Sequence, residues 1–181
     1  MKQKISLLAI AICVLSYAKT YSQNIELPAD SLVANIEHYD GQHIETEGLV
    51  VHICGVDGKK LKLSTDGGEI IKVVPFDSLG SFDKSLYGKR IKIQGVVKEY
   101  RVVKSKIDSL KREKSLLCHI DNTPCIDSVW VDNMTKSGKA DAYSEQSAAK
   151  LDKKMEKTGN DYISIITIFA EKIEILEVET E

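Results

Sequence analysis

"HIETEGLVVHICGVDGKKLKLS", residues 43–64, decides the fold class. From His43 to Cys54 the side chains fall into two sets. Ile44, Thr46, Gly48, Val50 and His52 share one parity, and Glu45, Glu47, Leu49, Val51 and Ile53 the other. That two-residue period is the signature of a strand. Asp57-Gly58 is a hairpin signal, and Lys60 to Ser64 resumes the alternation with Leu61 and Leu63 facing in. Two strands around a tight turn follow. Gly48 in mid-strand predicts a bulge or sharp bend there. His52 and Cys54 have the same parity, so both side chains point to one face at the end of the first strand.

Upstream, PADSLVANIEHYD (28–40) has Leu32, Ile36 and Tyr39 at helical spacing, Asp30 or Ser31 to cap it and Gly41 to stop it. Downstream, Asp66-Gly67-Gly68 turns the chain into a third strand from Ile70 to Phe76. Phe82 and Leu86 anchor a short helix or turn, and Arg90 to Val103 alternates as a fourth strand. The pattern then changes. Residues from Lys104 to about Gly159 are charged and helical, with Ile107, Leu110 and Leu117 on a first helix and Trp130 and Met134 on a second. CHIDNTPC (118–125) reads as a connection broken by Pro124, and KSGKADAYSEQSAAK (136–150) as a flexible middle. DYISIITIFAEKIEILEV (161–178) is the closing β segment.

This order predicts a mainly β chain: a five-stranded OB-type barrel with an N-terminal helix and a helical insertion between strands 4 and 5. The expected organisation is a leader over 1–22, then one domain over 23–181 with its insert at about 104–160. The insert must leave and re-enter the barrel at one end, which a helical hairpin does.

MKQKISLLAIAICVLSYAKTYSQN opens with Lys2 and Lys4, an apolar stretch from Ile5 to Tyr17, and small residues up to Ser22. That is a secretory leader pattern, too short in its apolar run to span a bilayer. It predicts an exported protein, periplasmic or secreted, with no stable membrane insertion after cleavage. The formal net charge of −2 includes Lys2, Lys4 and Lys19 of the leader, which leaves the remainder near −5. A mildly acidic exported chain is a poor match to phosphate backbones, and no aromatic lies between His52 and Pro75 to stack a base. Nucleic acid is therefore not an expected partner. Lys59, Lys60, Lys62 and Lys72 read as a solvated strand face.

YDGQHIETEGLVVHIC and SFDKSLYGKRIKIQGVVKE resemble exported bacterial OB-fold proteins of unassigned function, through Asp40-Gly41, Glu47-Gly48, His52-x-Cys54, the Phe82 to Gly88 turn and Gly95. That family carries an HxCxHxG segment in its first barrel strand and a charged helical insert with its own His and Cys. His52, Cys54 and Gly58 match the segment, and Val56 stands where the family has its second His. Asn160, Asp161 and Tyr162 match the start of its closing strand, while ISIITIF is aliphatic where the family is aromatic. The resemblance implies the barrel and the placement of the insert.

Three chemistries are open to this His/Cys set. His52, Cys54, Cys118 and His119 are a candidate metal set, because imidazole and thiolate both suit zinc or copper. Cys118 and Cys125 are a candidate disulfide closing the connection around Pro124 in an oxidising compartment. A thiol enzyme would need Cys54 activated by a base such as His52. The expectation is a non-enzymatic binding or accessory protein of the cell envelope, partnered by another envelope protein and binding a transition metal at this cluster. The alternative is a protein-interaction module whose disulfide stiffens the insert.

Overall fold

A computed structural model describes residues 24–176 of the protein. The leader expected over 1–22 lies outside them, as do Glu177 and Val178 of the expected closing segment. In chain order the elements are β1 (Ile25–Glu26), α1 (Ala29–Ala34), α2 (Ile36–Tyr39), β2 (His43–Ile53), β3 (Leu61–Ser64), β4 (Ile70–Pro75), a 3-10 turn (Lys84–Leu86), β5 (Arg90–Val103), α3 (Lys104–Arg112), α4 (Ser128–Lys136), α5 (Ala140–Thr158) and β6 (Tyr162–Ile175).

The sheet runs β1-β2-β3-β4-β6-β5, and β5 pairs back onto β2. Strands β2 to β6 therefore close into a barrel in the OB-type order, with β4 and β6 parallel and the other barrel pairs antiparallel. Closure leaves these strands without a free edge along the paired length. One parity of each strand fills the interior. Ile44, Val50, Leu61, Leu63, Ile71, Val73, Ile91, Ile93 and Ile168 are all fully buried. Each such side chain contributes roughly 1.5–3 kcal/mol by leaving water.

The N-terminal helix expected over 28–40 is two short helices broken at Asn35. Leu32 and Ile36 are buried as their spacing predicts. Asp30 does not cap. Pro28 holds the cap position, and both Asp30 carboxylate oxygens accept from the Gly67 N–H, at 3.1 and 3.2 Å. The side chain thus ties the helix to the β3–β4 turn.

Past the barrel, residues 99–103 of β5 and 162–166 of β6 continue as a two-stranded arm that carries the insert. A second core of Ile107, Leu110, Leu117, Ala148, Leu151, Met155 and Ile163 forms between α3, α5 and this arm. The stretch read as a flexible middle is in large part the first half of α5. Ser144, Ala148, Leu151 and Met155 recur on one buried stripe, and the alanines between favour helix. Helix α4 buries no side chain and touches α5 through Trp130 and Tyr143, ring centroids 5.1 Å apart. Among the described residues no helix is long and apolar enough to cross a membrane.

Close approach rather than chain freedom explains two glycines. A Cβ on Gly95 would lie 2.1 Å from the Phe169 carbonyl oxygen, at the register shift between β5 and β6. Gly95→Ala is expected to cost about 3 kcal/mol, as overpacking does at the upper end of its range. Gly55→Ala, which faces open space, serves as the control. Urea unfolding of the two variants checks the contrast.

Candidate functional site

The site begins with an irregularity in β2. The register shifts between Val50 and His52, so Val50 pairs with Leu63 and His52 with Lys62. A bulge inserts one residue and turns the following side chains over. Val50 is fully buried in the barrel, Ile53 packs against the same core, and His52 emerges half-buried on the outer face. The bulge falls at Val51, three residues after Gly48, the position expected for it. Gly48 instead admits β3, since a Cβ there would meet the Ser64 carbonyl oxygen at 2.7 Å. The connection to β3 runs from Cys54 to Lys60. It is closed by the Cys54 N–H donating to the Lys60 carbonyl at 2.7 Å, with Gly58 at φ +65°.

The segment read as a simple connection, residues 118–125, belongs to a small hairpin that also takes in Leu117, which was expected on the first helix but lies beyond α3, whose last residue is Arg112. The Cys125 N–H donates to Leu116 and the Cys118 N–H to Thr123, at 2.8 and 2.7 Å, and Leu117 bridges Pro124. Asn122 turns the tip with φ +56°. This hairpin lies over β3 and β4 and is held there by Asp121. Its carboxylate, 3% exposed as a residue, accepts from the Lys60 and Lys72 ammonium groups, each at 2.9 Å. It also accepts from the Thr123 hydroxyl at 2.7 Å and the Thr123 N–H at 3.2 Å. Burial opposes its ionisation. The hydrogen bonds from Lys72, Thr123 and Lys60 outweigh that and hold its carboxyl well below the usual carboxylate range. Burial likewise works against the Lys60 charge, and Asp121 more than restores it.

With the hairpin docked, residues 67 positions apart meet. The His119 and His52 Nε2 atoms are 2.8 Å apart, with ring centroids at 4.4 Å and planes nearly perpendicular. Two imidazolium ions cannot share that contact, so one ring donates a proton that the other accepts. Burial depresses the pKa of His52, with further depression from His119 and Lys62. Burial also depresses that of His119, with Lys62 adding to it and Asp121 opposing. Both rings are therefore held neutral near pH 7, the protonation state that can ligate a metal.

Cys54, Cys118 and Ile120 form a buried cluster, with Cys125 packed against it. All three cysteines are free thiols in the structure. Cys54 and Cys118 are buried and Cys125 is half-buried. The fold makes two separate contacts among the residues of the candidate metal set, His52 with His119 and Cys54 with Cys118. Cys125 is in the same cluster, unbonded to Cys118. Among the described residues, no three His, Cys, Asp or Glu side chains are already arranged as a metal cage.

Asp121 is the residue that sequence reasoning passed over. Its neighbours Asn122 and Thr123 signalled a turn, and nothing local signalled two lysines more than forty positions away. Lys60 and Lys72, read as solvated, are its partners. An open cleft of about 600 Å³ lies elsewhere. It joins Asn35 and His38 to Lys154, Thr158 and Ser164, and the two histidines and three cysteines of the cluster are outside it.

No family model matches this chain, and no curated protein does. Among solved structures, a DUF3299 family protein from Pseudomonas aeruginosa PAO1 aligns with 79% of this chain and 66% of its own, at 11% identity and a TM-score of 0.36. This chain therefore spans just under two thirds of that protein. The barrel assignment rests on strand order and register alone.

Asp121→Asn is expected to cost about 3 kcal/mol, because it strands two ammonium groups against a neutral amide. Denaturant unfolding measures it. The folded pKa of Asp121 lies below its ordinary 3.8. Its contribution is therefore complete above that value and is lost as the pH falls below it, so wild type and variant converge in strong acid.

The histidines act in the same direction at higher pH. Their folded pKa values lie below the ordinary 6.5, so the unfolded chain binds more protons there. Stability should fall as the pH drops below 6.5. NMR titration of the imidazole Cε1 protons should find both midpoints depressed, with that of His52 rising in His119→Ala.

Proposed function

We propose that the protein is a non-enzymatic, exported binding protein of the cell envelope. Its ligand is a transition-metal ion, zinc or copper, held by His52 and His119 with Cys54 and Cys118 as sulfur donors. The observation that carries this reading is the Nε2 to Nε2 contact of 2.8 Å, made by the same two segments that bring Cys54 and Cys118 into one cluster. To load, the ring that donates through Nε2 shifts its proton to Nδ1, and both lone pairs turn from each other toward a common point. Metal–nitrogen bonds of about 2.0–2.1 Å at a tetrahedral angle set the nitrogens about 3.4 Å apart, so the rings need part by only roughly 0.5 Å. Thiolate and imidazole are the donors that zinc and copper prefer. Export rests on the leader pattern.

An interaction module with a stiffened insert is the second reading, favoured by the packing of Cys125 against the other two thiols. Reduced protein, desalted and offered Zn²⁺ or Cu⁺, separates the two. One ion per chain by native mass spectrometry, leaving on denaturation, is the expected result. His119→Ala should then weaken binding by roughly ten-fold or more. Uptake of neither ion by the folded, reduced chain would remove the metal reading and leave the interaction module.

A further inference from the structure

Three thiols share one small cluster, and they are not equivalent. Cys54 closes the end of β2 and is 8% exposed, Cys118 is 7% exposed, and Cys125 is half-buried and open to solvent. Cys118 and Cys125 sit on the two strands of the insert hairpin, diagonal to each other across the Leu117–Pro124 bridge. Even spacing along each strand puts both on one hairpin face, the face that meets Cys54. A metal with the four proposed donors has no use for Cys125. Its place in the cluster calls for another role.

We infer that the Cys54, Cys118 and Cys125 cluster is a thiol–disulfide modification site, entered at Cys125, whose oxidation removes a sulfur donor from the metal site. The metal consequence rests on the reading proposed above, and the thiol chemistry does not. The oxidant is a disulfide, R–S–S–R, of a small thiol or of an envelope thiol–disulfide oxidoreductase. Cys125 is the thiol within its reach. Its thiolate attacks one sulfur of the oxidant, and R–S⁻ leaves and takes up the proton that Cys125 released. The mixed disulfide then lies against two buried thiols. One of them loses its proton, attacks the Cys125 sulfur and expels the second R–S⁻, which is protonated in turn. Two protein thiols are oxidised to one disulfide, and one R–S–S–R is reduced to two R–SH. Whichever buried thiol resolves the intermediate, Cys54 or Cys118, is a proposed ligand. Oxidation therefore turns a two-sulfur site into a one-sulfur site.

The test uses the whole mature chain, reduced, metal-free and incubated with excess oxidised glutathione. Intact mass follows the thiols, and zinc affinity is measured before and after. The expected wild-type product is lighter by two hydrogens, carries one free thiol, and contains a Cys125 disulfide by peptide mapping. Its zinc affinity is at least roughly ten-fold weaker. Cys125→Ser and Cys125→Ala should keep the reduced protein's zinc affinity and form the internal disulfide at least roughly ten-fold more slowly. Three free thiols, a product arrested as the glutathione adduct, or equally fast oxidation of both Cys125 variants would each overturn the inference. The two readings fail separately. A Cys125 disulfide in a chain that binds no metal when reduced removes the metal site and leaves the thiol relay. Zinc bound by a reduced chain that resists oxidation does the reverse.

Discussion

One buried carboxylate fixes where the insert lies on the barrel. Asp121 takes charge-assisted hydrogen bonds from Lys60 on the β2–β3 connection and from Lys72 on β4 while bonding its own hairpin through Thr123. Three charges out of water are expensive, and such a group is no strong source of stability against an apolar replacement. Its value lies in register. Apolar packing between the hairpin and the barrel is confined to the small cysteine cluster, which would tolerate sliding. A carboxylate needing two ammonium groups at 2.9 Å does not. One unit of positive charge is left over at the triad, and Lys62 beside it adds another, so the surroundings favour neutral imidazoles and anionic sulfur donors.

The bulge in β2 supplies the other half of the placement. An unbroken strand would send His52 into the barrel after Ile44 and Val50, where an imidazole with no partner is costly. The extra residue between Val50 and His52 keeps Ile53 on the core and turns His52 toward the insert. A strand irregularity on one side and an ion triad on the other thus aim two rings at one point. Neither ring's own helix or strand propensity has any part in it.

How much of this was legible in the sequence follows from the range of each interaction. The barrel was legible because strand parity is a local pattern, and Ile44, Leu61, Leu63, Ile71, Val73, Ile91 and Ile93 announce their own burial. The place of the insert was legible from the change of period at Lys104. The bulge was misplaced because a mid-strand glycine signals either a bulge or a close approach, and Gly48 is the latter. The helical nature of residues 140–150 was masked by small residues, which suit both a loop and a tightly packed helix. The meeting of His52 with His119 and of Cys54 with Cys118 could be guessed from chemistry, since ligand types stood near the ends of segments that had to converge. Asp121 could not. A buried ion triad is written in three distant places, each of which reads alone as ordinary polar surface.

The division into two cores gives the site a mechanical consequence. The barrel core and the insert core are separate clusters, joined through the two-stranded arm and, at the tip, through the Asp121 triad and the thiol cluster. Undocking the hairpin would break only the triad and the thiol cluster, and so would cost less than global unfolding. A ligand held by residues from both sides binds the docked form and not the open one. It stabilises docking by about 2.7 kcal/mol at a hundred times its Kd. Loss of one donor to a disulfide, or protonation of the rings, draws on the same equilibrium in the opposite direction. On the proposed reading, chemistry at these two histidines and three cysteines would bear on the position of the insert.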